Sequence, residues 1–162
     1  MTLQTPRTIL RPFTESDAPD LYAYCQDPRV GPIAGWKPHE SMEESREIIR
    51  TVFSAPHTFA VVERESGTLI GSAGFTGRGS PGEDELGYAL HPDWWGRGLM
   101  TEAASELLRY AFEDRGLQAV WASHYAENPA SRRVIEKCGF QRVSTEILMD
   151  ETGEHETAFY RL

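Results

Sequence analysis

The stretch Asp84–Ala103, DELGYALHPDWWGRGLMTEA, decides how this chain folds. Its first part, Glu85–His91, is typical of a strand, and a Pro-Asp pair ends that strand before two tryptophans and a Gly-Arg-Gly turn. A helical pattern starts at Leu99. Because Gly96 and Gly98 lack a Cβ, the backbone can adopt positive φ there and an anion can approach the first amides of the helix. The stretch therefore predicts either a diphosphate-binding turn or a tight connection that needs glycine for steric reasons alone.

The composition indicates one globular domain covering residues 1–162, with 40% hydrophobic and 25% charged residues. A formal net charge of −9 argues against a nucleic-acid partner and mildly favours a cationic or amine-bearing one, although solubility explains the same charge equally well. The chain has no apolar run of the roughly 18 residues that a membrane helix needs, and its first residues lack a signal-peptide core, so we expect a cytoplasmic protein. Cys25 and Cys138 are expected to be buried free thiols, and the histidine spacing predicts no metal site.

Periodicity and turn residues predict about seven strands and about four helices. The strands are expected at Thr8–Phe13, Thr58–Glu63, Leu69–Phe75, Glu85–His91, within Leu117–Tyr125, at Phe140–Met149 and at His155–Leu162. The helices are expected from Ser16 or Asp17 to a stop at Asp27-Pro28, after Ser41 to about Ser54, from Leu99 to about Arg115, and at Pro129–Cys138. The proline- and glycine-rich segment Arg29–Glu40 is predicted to be an irregular loop. This order predicts an α+β structure in which helices cover a twisted, mostly antiparallel sheet.

Three separated motifs carry a resemblance to a known family. RTILRPFTESD starts at Arg7, ELGYALHPDWWGRGLMTEA at Glu85 and ENPASRRVIEKCGF at Glu127. In this order they resemble the GNAT superfamily of acyl-CoA-dependent N-acetyltransferases, most closely the branch that includes the ribosomal-protein N-terminal acetyltransferases. The resemblance implies a mixed, mostly antiparallel sheet splayed between its fourth and fifth strands, with acetyl-CoA bound in the gap.

The resemblance also implies which residues bind the cofactor. The family's diphosphate-binding turn falls on Trp95, Gly96, Arg97, Gly98, Leu99, Met100 and Thr101. Met100 stands where the family usually has glycine or alanine. Leu90 matches the position whose backbone binds the pantetheine arm, and Asn128 matches the asparagine that reaches the pantetheine or the acceptor. Asn128 is also a good helix cap. Arg133 is expected either to meet the adenosine phosphates or to belong to a solvated helix face.

The catalytic groups are less evident from the sequence. Many relatives carry a tyrosine that protonates the leaving thiolate, but Ile135 occupies that position here. Ser131 is the candidate substitute, with an ordinary first-turn serine as the alternative, and Glu85 is the candidate base acting through water, with a surface carboxylate as the alternative. The predicted loop Arg29–Glu40 is called the early loop. By family analogy, its residues Trp36 and His39 are expected on the acceptor side. We also place Tyr88 there, with a packed aromatic as the alternative.

The expected activity is transfer of an acetyl group from acetyl-CoA to a primary amine, by direct attack in a ternary complex. The acceptor is expected to be a protein N-terminus or a small molecule, and the enzyme a monomer or homodimer. Ile135 keeps a second hypothesis open, namely a catalytically silent acyl-CoA-binding sensor on the same fold.

Overall fold

The computed structural model describes residues 1–162, and its strands form one sheet in the order β1, β2, β3, β4, β5, β6, β8, β7. The strands are β1 Leu3–Gln4, β2 Thr8–Arg11, β3 Thr58–Glu63, β4 Leu69–Phe75, β5 Glu83–Leu90, β6 Ala119–Tyr125, β7 Gln141–Asp150 and β8 Gly153–Arg161. Every neighbouring pair is antiparallel except β5 and β6, which run parallel. The α+β class predicted from the sequence is therefore confirmed.

Five α-helices accompany the sheet. They are α1 Ala18–Cys25, α2 Gly31–Ala34, α3 Met42–Thr51, α4 Leu99–Arg109 and α5 Pro129–Lys137. A π-helical turn, Tyr110–Asp114, continues α4, and Gly116 follows it at a φ of 68°. None of the helices is both long enough and apolar enough to cross a bilayer.

The parallel pair β5 and β6 separates soon after it begins. The two strands are paired only from Glu83 opposite Ala119 to Glu85 opposite Trp121, although β5 continues to Leu90 and β6 to Tyr125. The second halves of both strands therefore face each other across a gap. This is the splay that the resemblance implies, and it falls between β5 and β6 because β1 adds a strand before the expected first one.

Two apolar cores lie on opposite faces of the sheet. The larger contains Leu86 of β5 together with the buried sides of α4 and α5, including Leu107 and Ile135. The smaller lies under α1 and α3 and includes Leu21 and Ile49. Successive side chains of a strand point to opposite faces, so β5 contributes to both layers and the gap opens between them.

The structure differs from the sequence-based expectation in a few local places. The sheet has eight strands because the two-residue β1 pairs with β2, and so short an element has no detectable period. The segment Arg29–Glu40 is not wholly irregular, since Gly31–Ala34 forms one turn of helix that ends at Gly35 with a φ of 99°. Cys25 is buried, as expected, whereas Cys138 is half-buried, and both are free thiols.

The predicted helix starts are confirmed at two caps. The Ser41 side chain accepts a hydrogen bond from the Glu44 amide at 3.0 Å, and the Asn128 side chain accepts one from the Ser131 amide at 3.1 Å. Each cap satisfies an amide that has no partner within its own helix. The cap predicted for Asn128 therefore exists whatever further role this residue has.

Candidate active site

The glycine turn has the geometry that an anion site needs. Gly96 and Gly98 have φ values of 73° and 75°, and a Cβ built on Gly96 would meet nothing within 4 Å. The first amide of α4 to bond within the helix region is that of Glu102, which donates to Gly98 O at 3.1 Å. The amides of Leu99, Met100 and Thr101 precede it and lie at the positive end of the helix dipole. An anion would therefore meet backbone donors and an open surface here.

The two side chains that follow the glycines, those of Leu99 and Met100, do not lie over the open surface of the turn. Leu99 and Met100 are buried in the larger core, so at these positions only the backbone remains to face an anion. The Met100 side chain therefore lies in the core rather than across the glycine turn. Arg97 folds back, with Nη2 donating to Asp93 O at 3.0 Å and the guanidinium over the Trp94 ring.

The end of β5 presents backbone groups to the gap. His91 N donates to Ile70 O at 2.7 Å and Thr76 N donates to Glu85 O at 2.9 Å, so the odd-numbered residues of β5 bond to β4. The N–H and C=O groups of Tyr88 and Leu90 consequently point the other way, into the gap that β6 has left. This orientation is the one that Leu90 needs to bond an extended arm as if that arm were a further strand.

Trp95 contacts the same strand end. Its indole Nε1 donates to Leu90 O at 2.8 Å, while 43% of the residue surface remains exposed. The carbonyl of Leu90 thus has a partner, whereas its N–H is directed into the gap. The glycine turn and the strand end are therefore joined by a side-chain hydrogen bond that the sequence did not predict.

Tyr88, Asn128 and Ser131 come together at the start of α5. The Tyr88 hydroxyl lies 2.8 Å from Ser131 Oγ and 3.1 Å from Ser131 O. Burial raises the pKa of Tyr88, so its hydroxyl stays protonated. Asn128 caps α5 through Oδ1 and donates from Nδ2 to Ile33 O of α2 at 3.4 Å. Tyr88 is therefore hydrogen-bonded to Ser131, the candidate proton donor. Asn128 connects α5 to α2, which lies on the other side of the gap.

Glu85 lies where β5 and β6 separate. It is the last residue of β5 that pairs with β6, opposite Trp121, and it is half-buried. Burial raises its pKa, and the nearby Arg78 opposes that rise only partly. Its side chain lies on the α1 and α3 face, opposite to that of Tyr88. Glu85 is therefore a partly desolvated carboxylate that holds a proton more readily than an ordinary glutamate.

The segment between α1 and α3 reaches across the gap. Trp36 is half-buried, and its ring packs on Gly31, where a Cβ would stand only 2.6 Å away. His39 is buried beside Trp36, with Nδ1 2.7 Å from Ser45 Oγ, and burial lowers its pKa. Lys37 N donates to Glu151 Oε1 in the β7–β8 turn at 2.8 Å. The segment thus closes one end of the gap, and the contact of His39 with Ser45 attaches it to α3.

Some candidates stand apart from this cluster. Arg133 is exposed on α5, and its neighbour Arg132 forms an ion pair with Glu136 at 2.8 Å. Ile135 is buried in the larger core with 1% of its surface exposed, so the position where many relatives carry tyrosine is apolar and dry. A cavity of about 440 Å³ lies elsewhere, between Phe13, Phe53 and Tyr110, and none of the candidate residues lines it.

A polar network beside the glycine turn was not predicted from the sequence. Thr5 and Arg7 of the N-terminal hairpin both hydrogen-bond to Glu102 of α4, and Arg7 also bonds to Arg97 O. No motif spacing signals such a contact, because about 95 residues separate the partners. The network is a consequence of β1 and β2 lying next to α4 in the folded chain.

Comparison with known proteins identifies the family of this chain. Residues 7–141 match the family model described as an acetyltransferase (GNAT) domain. The chain belongs to the GNAT acetyltransferase family. It is 31% identical over 147 residues to the uncharacterized N-acetyltransferase YoaA of Bacillus subtilis (strain 168), covering 86% of this chain and 82% of the relative. This GNAT acetyltransferase therefore shares nearly the whole domain with that relative.

Two further similarities refine the placement of this GNAT protein. The alanine N-acetyltransferase of ribosomal protein uS5 from Escherichia coli (strain K12) is 29% identical over 86 residues, covering 52% of this chain and 44% of that protein. The crystal structure of a GNAT-family acetyltransferase from Bacillus anthracis superposes with a TM-score of 0.89 at 23% identity, covering 100% of this chain and 98% of the other. The relatives therefore include the ribosomal-protein branch expected from the motifs, and the fold is that of GNAT acetyltransferases. These relatives establish the chain as an acetyl-CoA-dependent N-acetyltransferase.

Proposed function

We propose that this acetyltransferase moves the acetyl group of acetyl-CoA directly to a primary amine while both substrates are bound. The observation that carries the proposal is the separation of β5 and β6 beside the glycine turn. The gap exposes the backbone of Leu90 on one side and the half-buried carboxylate of Glu85 on the other. Both groups lie on the same strand, so two reactants held in the gap would meet between them.

The residues fit a CoA thioester. The left-handed glycine turn leaves room where a Cβ would intrude, and the first amides of α4 suit the diphosphate. Leu90 N–H points into the gap, where it would bond the thioester arm and stabilise negative charge that develops on the carbonyl oxygen. Arg133 is exposed on the same helix as Ser131, where it would meet the phosphates of the adenosine part.

The acetyl transfer requires two proton transfers. The amine nitrogen forms a bond to the acetyl carbon while the carbon–sulfur bond breaks, and the nitrogen loses one proton. We assign Glu85 as the base that takes this proton, directly or through a water molecule, because it lies where the gap opens and burial raises its pKa. We assign Ser131 as the donor that returns a proton to the departing sulfur, with the Tyr88 hydroxyl hydrogen-bonded to it.

The acceptor would approach from the α1 and α3 face. The Glu85 side chain points there, and Trp36 lies on the segment that closes that end of the gap. We propose a protein N-terminus as the first acceptor to test, because the chain resembles an enzyme named for acetylating a ribosomal-protein alanine. The net charge of −9 would also attract a cationic amine.

The deciding experiment measures thiol release from acetyl-CoA against a panel of amines. The panel contains peptides with N-terminal alanine or serine, an aminoglycoside, a polyamine and free amino acids. We expect turnover with at least one class, together with a rise in the melting temperature on adding acetyl-CoA. A ligand at 100 times its Kd stabilises a protein by about 2.7 kcal/mol. A melting temperature unchanged by millimolar acetyl-CoA would reject the proposal.

A binding-only sensor is the second candidate, favoured by one observation. Ile135 is buried in the larger core, so the family's usual proton donor is missing from α5. A sensor would show the thermal shift with acetyl-CoA but no thiol release with any amine of the panel. Release that falls in Ser131→Ala would instead support the enzyme.

A further inference from the structure

Arg7 connects the N-terminal hairpin to the glycine turn. Its guanidinium donates from Nη1 to Arg97 O at 2.9 Å and from Nε to Glu102 Oε1 at 3.0 Å. Its backbone amide also donates to Glu102 Oε2 at 2.9 Å. A Cβ on Gly98 would lie 3.5 Å from Arg7 Nη2, which places that nitrogen alongside the turn. One side chain therefore contacts both the turn and the first part of α4.

Glu102 creates the need for a cation here. It belongs to the first turn of α4 and carries a negative charge close to the site that suits an anion. Burial opposes ionisation of Glu102, but hydrogen bonds from Thr5 and Arg7 outweigh it, so its pKa lies below the usual value. The carboxylate is thus charged at neutral pH and would repel a diphosphate unless it were neutralised.

We propose that Arg7 is a positioning residue for the diphosphate of the CoA substrate. It neutralises Glu102 and, through the Arg97 carbonyl, keeps the glycine turn in the conformation that directs its amides outward. This inference rests on the proposed function, since it assigns a residue outside the family's glycine motif to the same cofactor site. The N-terminal hairpin is then part of cofactor binding, although it lies at the edge of the sheet.

Arg64 offers a matched control. Its Nη1 donates to Thr5 O at 2.8 Å, so it holds the same hairpin, but through backbone two residues before Arg7 and without touching the turn. Arg64→Gln and Arg7→Gln each remove one positive charge and one hydrogen bond from a guanidinium to a backbone carbonyl, and Arg7→Gln also removes the ion pair with Glu102. A general loss of hairpin structure would affect both variants, whereas a loss of diphosphate positioning would affect only Arg7→Gln.

The test compares CoA with pantetheine, which lacks the diphosphate, by isothermal titration. We expect Arg7→Gln to weaken CoA binding about tenfold, the size of one charge-assisted interaction, and to leave pantetheine binding unchanged. Arg7→Lys should restore part of the loss, because it keeps the charge but cannot bond Glu102 and Arg97 O in the same planar way. The loss should also shrink at high salt.

Three results would overturn the inference. Arg7→Gln could bind CoA as tightly as the wild type does. It could lose affinity for pantetheine by the same factor as for CoA, or its loss of CoA affinity could equal that of Arg64→Gln. In each case the proposed function survives as long as the wild type binds CoA. Failure of the wild type itself to bind CoA would reject both proposals, and melting temperatures of all variants identify any that fail to fold.

Discussion

The two walls of the gap are built in different ways. The wall proposed for the cofactor, called the cofactor wall, is a continuous piece of chain from Leu90 to Thr101, and it presents mainly backbone groups. The wall proposed for the acceptor, called the acceptor wall, combines side chains from separated segments, namely Trp36 after α2, Tyr125 at the end of β6 and Glu151 in the β7–β8 turn. Backbone geometry follows from glycine and proline positions that can be read locally. A wall made of side chains forms only when distant segments meet. The cofactor wall can therefore be predicted from the sequence, and the acceptor wall cannot.

The contacts across the acceptor wall illustrate this dependence. The Tyr125 and His155 rings stack at 4.0 Å, and His155 Nδ1 lies 2.7 Å from Glu127 Oε1. A Cβ on Gly35 would stand 2.5 Å from the Tyr125 hydroxyl. The early loop therefore packs on an aromatic pair whose members come from β6 and β8.

The largest expected effect concerns Glu85, where the two walls meet. Glu85→Gln should lower kcat by on the order of 10²-fold, since general base catalysis contributes that much or more. The wild-type kcat should rise with pH through the raised pKa of Glu85 and then level off, whereas the variant should lack this step. Steady-state rates from pH 4.5 to 8.5 provide the measurement.

Glu83→Gln is the control for that variant. Glu83 lies two residues earlier on β5, but its carboxylate bonds the Trp121 indole at 2.8 Å and Arg161 at 3.2 Å. We expect its kcat to stay close to the wild-type value. Equal losses in both variants would mean that Glu85 acts on the sheet and not on the amine.

The next largest effect concerns the cofactor wall. Gly98→Val forces a β-branched residue into a backbone with φ of 75°, which costs about 2 kcal/mol and fills the anion site. We expect KM for acetyl-CoA to rise about thirtyfold while KM for the amine stays nearly constant. Gly67→Val is the control, because Gly67 has φ of 71° and open space around it in the β3–β4 turn. Comparable KM values in the two variants would contradict a diphosphate site at Gly98.

A smaller effect is expected at the acceptor wall, where KM for the amine should change instead of KM for acetyl-CoA. Gly35→Ala would push the early loop away from Tyr125 and Asp150, because its Cβ has no room. KM for the amine should rise about tenfold, with KM for acetyl-CoA unchanged, since small displacements of a positioning segment are costly. Gly116→Ala, at φ of 68° with nothing nearby, carries the same backbone strain and should leave both KM values unchanged. If Gly35→Ala instead changed KM for acetyl-CoA, the division into two walls would be wrong.

The smallest effect on the reaction is expected at Asp17, which precedes α1 on the face of the sheet proposed for the acceptor. Burial opposes its ionisation, but hydrogen bonds from Arg11 and Thr14 outweigh it and keep the pKa low. Its contribution to stability is therefore complete above the unfolded carboxyl pKa of about 3.9 and is lost as the pH falls through the lower folded pKa. Asp17→Asn should lower the free energy of unfolding at pH 7 by about 1–3 kcal/mol.

Urea unfolding at several pH values tests this effect. The difference between the wild type and Asp17→Asn should stay constant from pH 5 to 8 and shrink below about pH 4. Asp27→Asn is the control, since the Asp27 and Arg29 pair lies on the surface, where salt and water screen it. A difference that persisted at pH 2 would mean that the charge of Asp17 is not what stabilises α1.

The sequence by itself determined the local elements of this protein. Caps at Ser41 and Asn128, the left-handed Gly98 and the stop at Gly116 follow from backbone preferences within a few residues. The three ordered motifs, by resemblance, also indicated the splayed sheet and the cofactor turn. Short pieces such as β1 and α2 escaped prediction, because two or four residues carry no period.

Only the tertiary structure decided which side chains share a site. The Tyr88 contact with Ser131, the burial of Glu85 and the contacts of Arg7 with Glu102 and Arg97 each join residues from separate elements. Such contacts depend on strand order and register, which long-range packing sets. A local pattern can fix how the backbone turns at Gly98, but neighbours drawn from other elements determine the charge and burial around that turn.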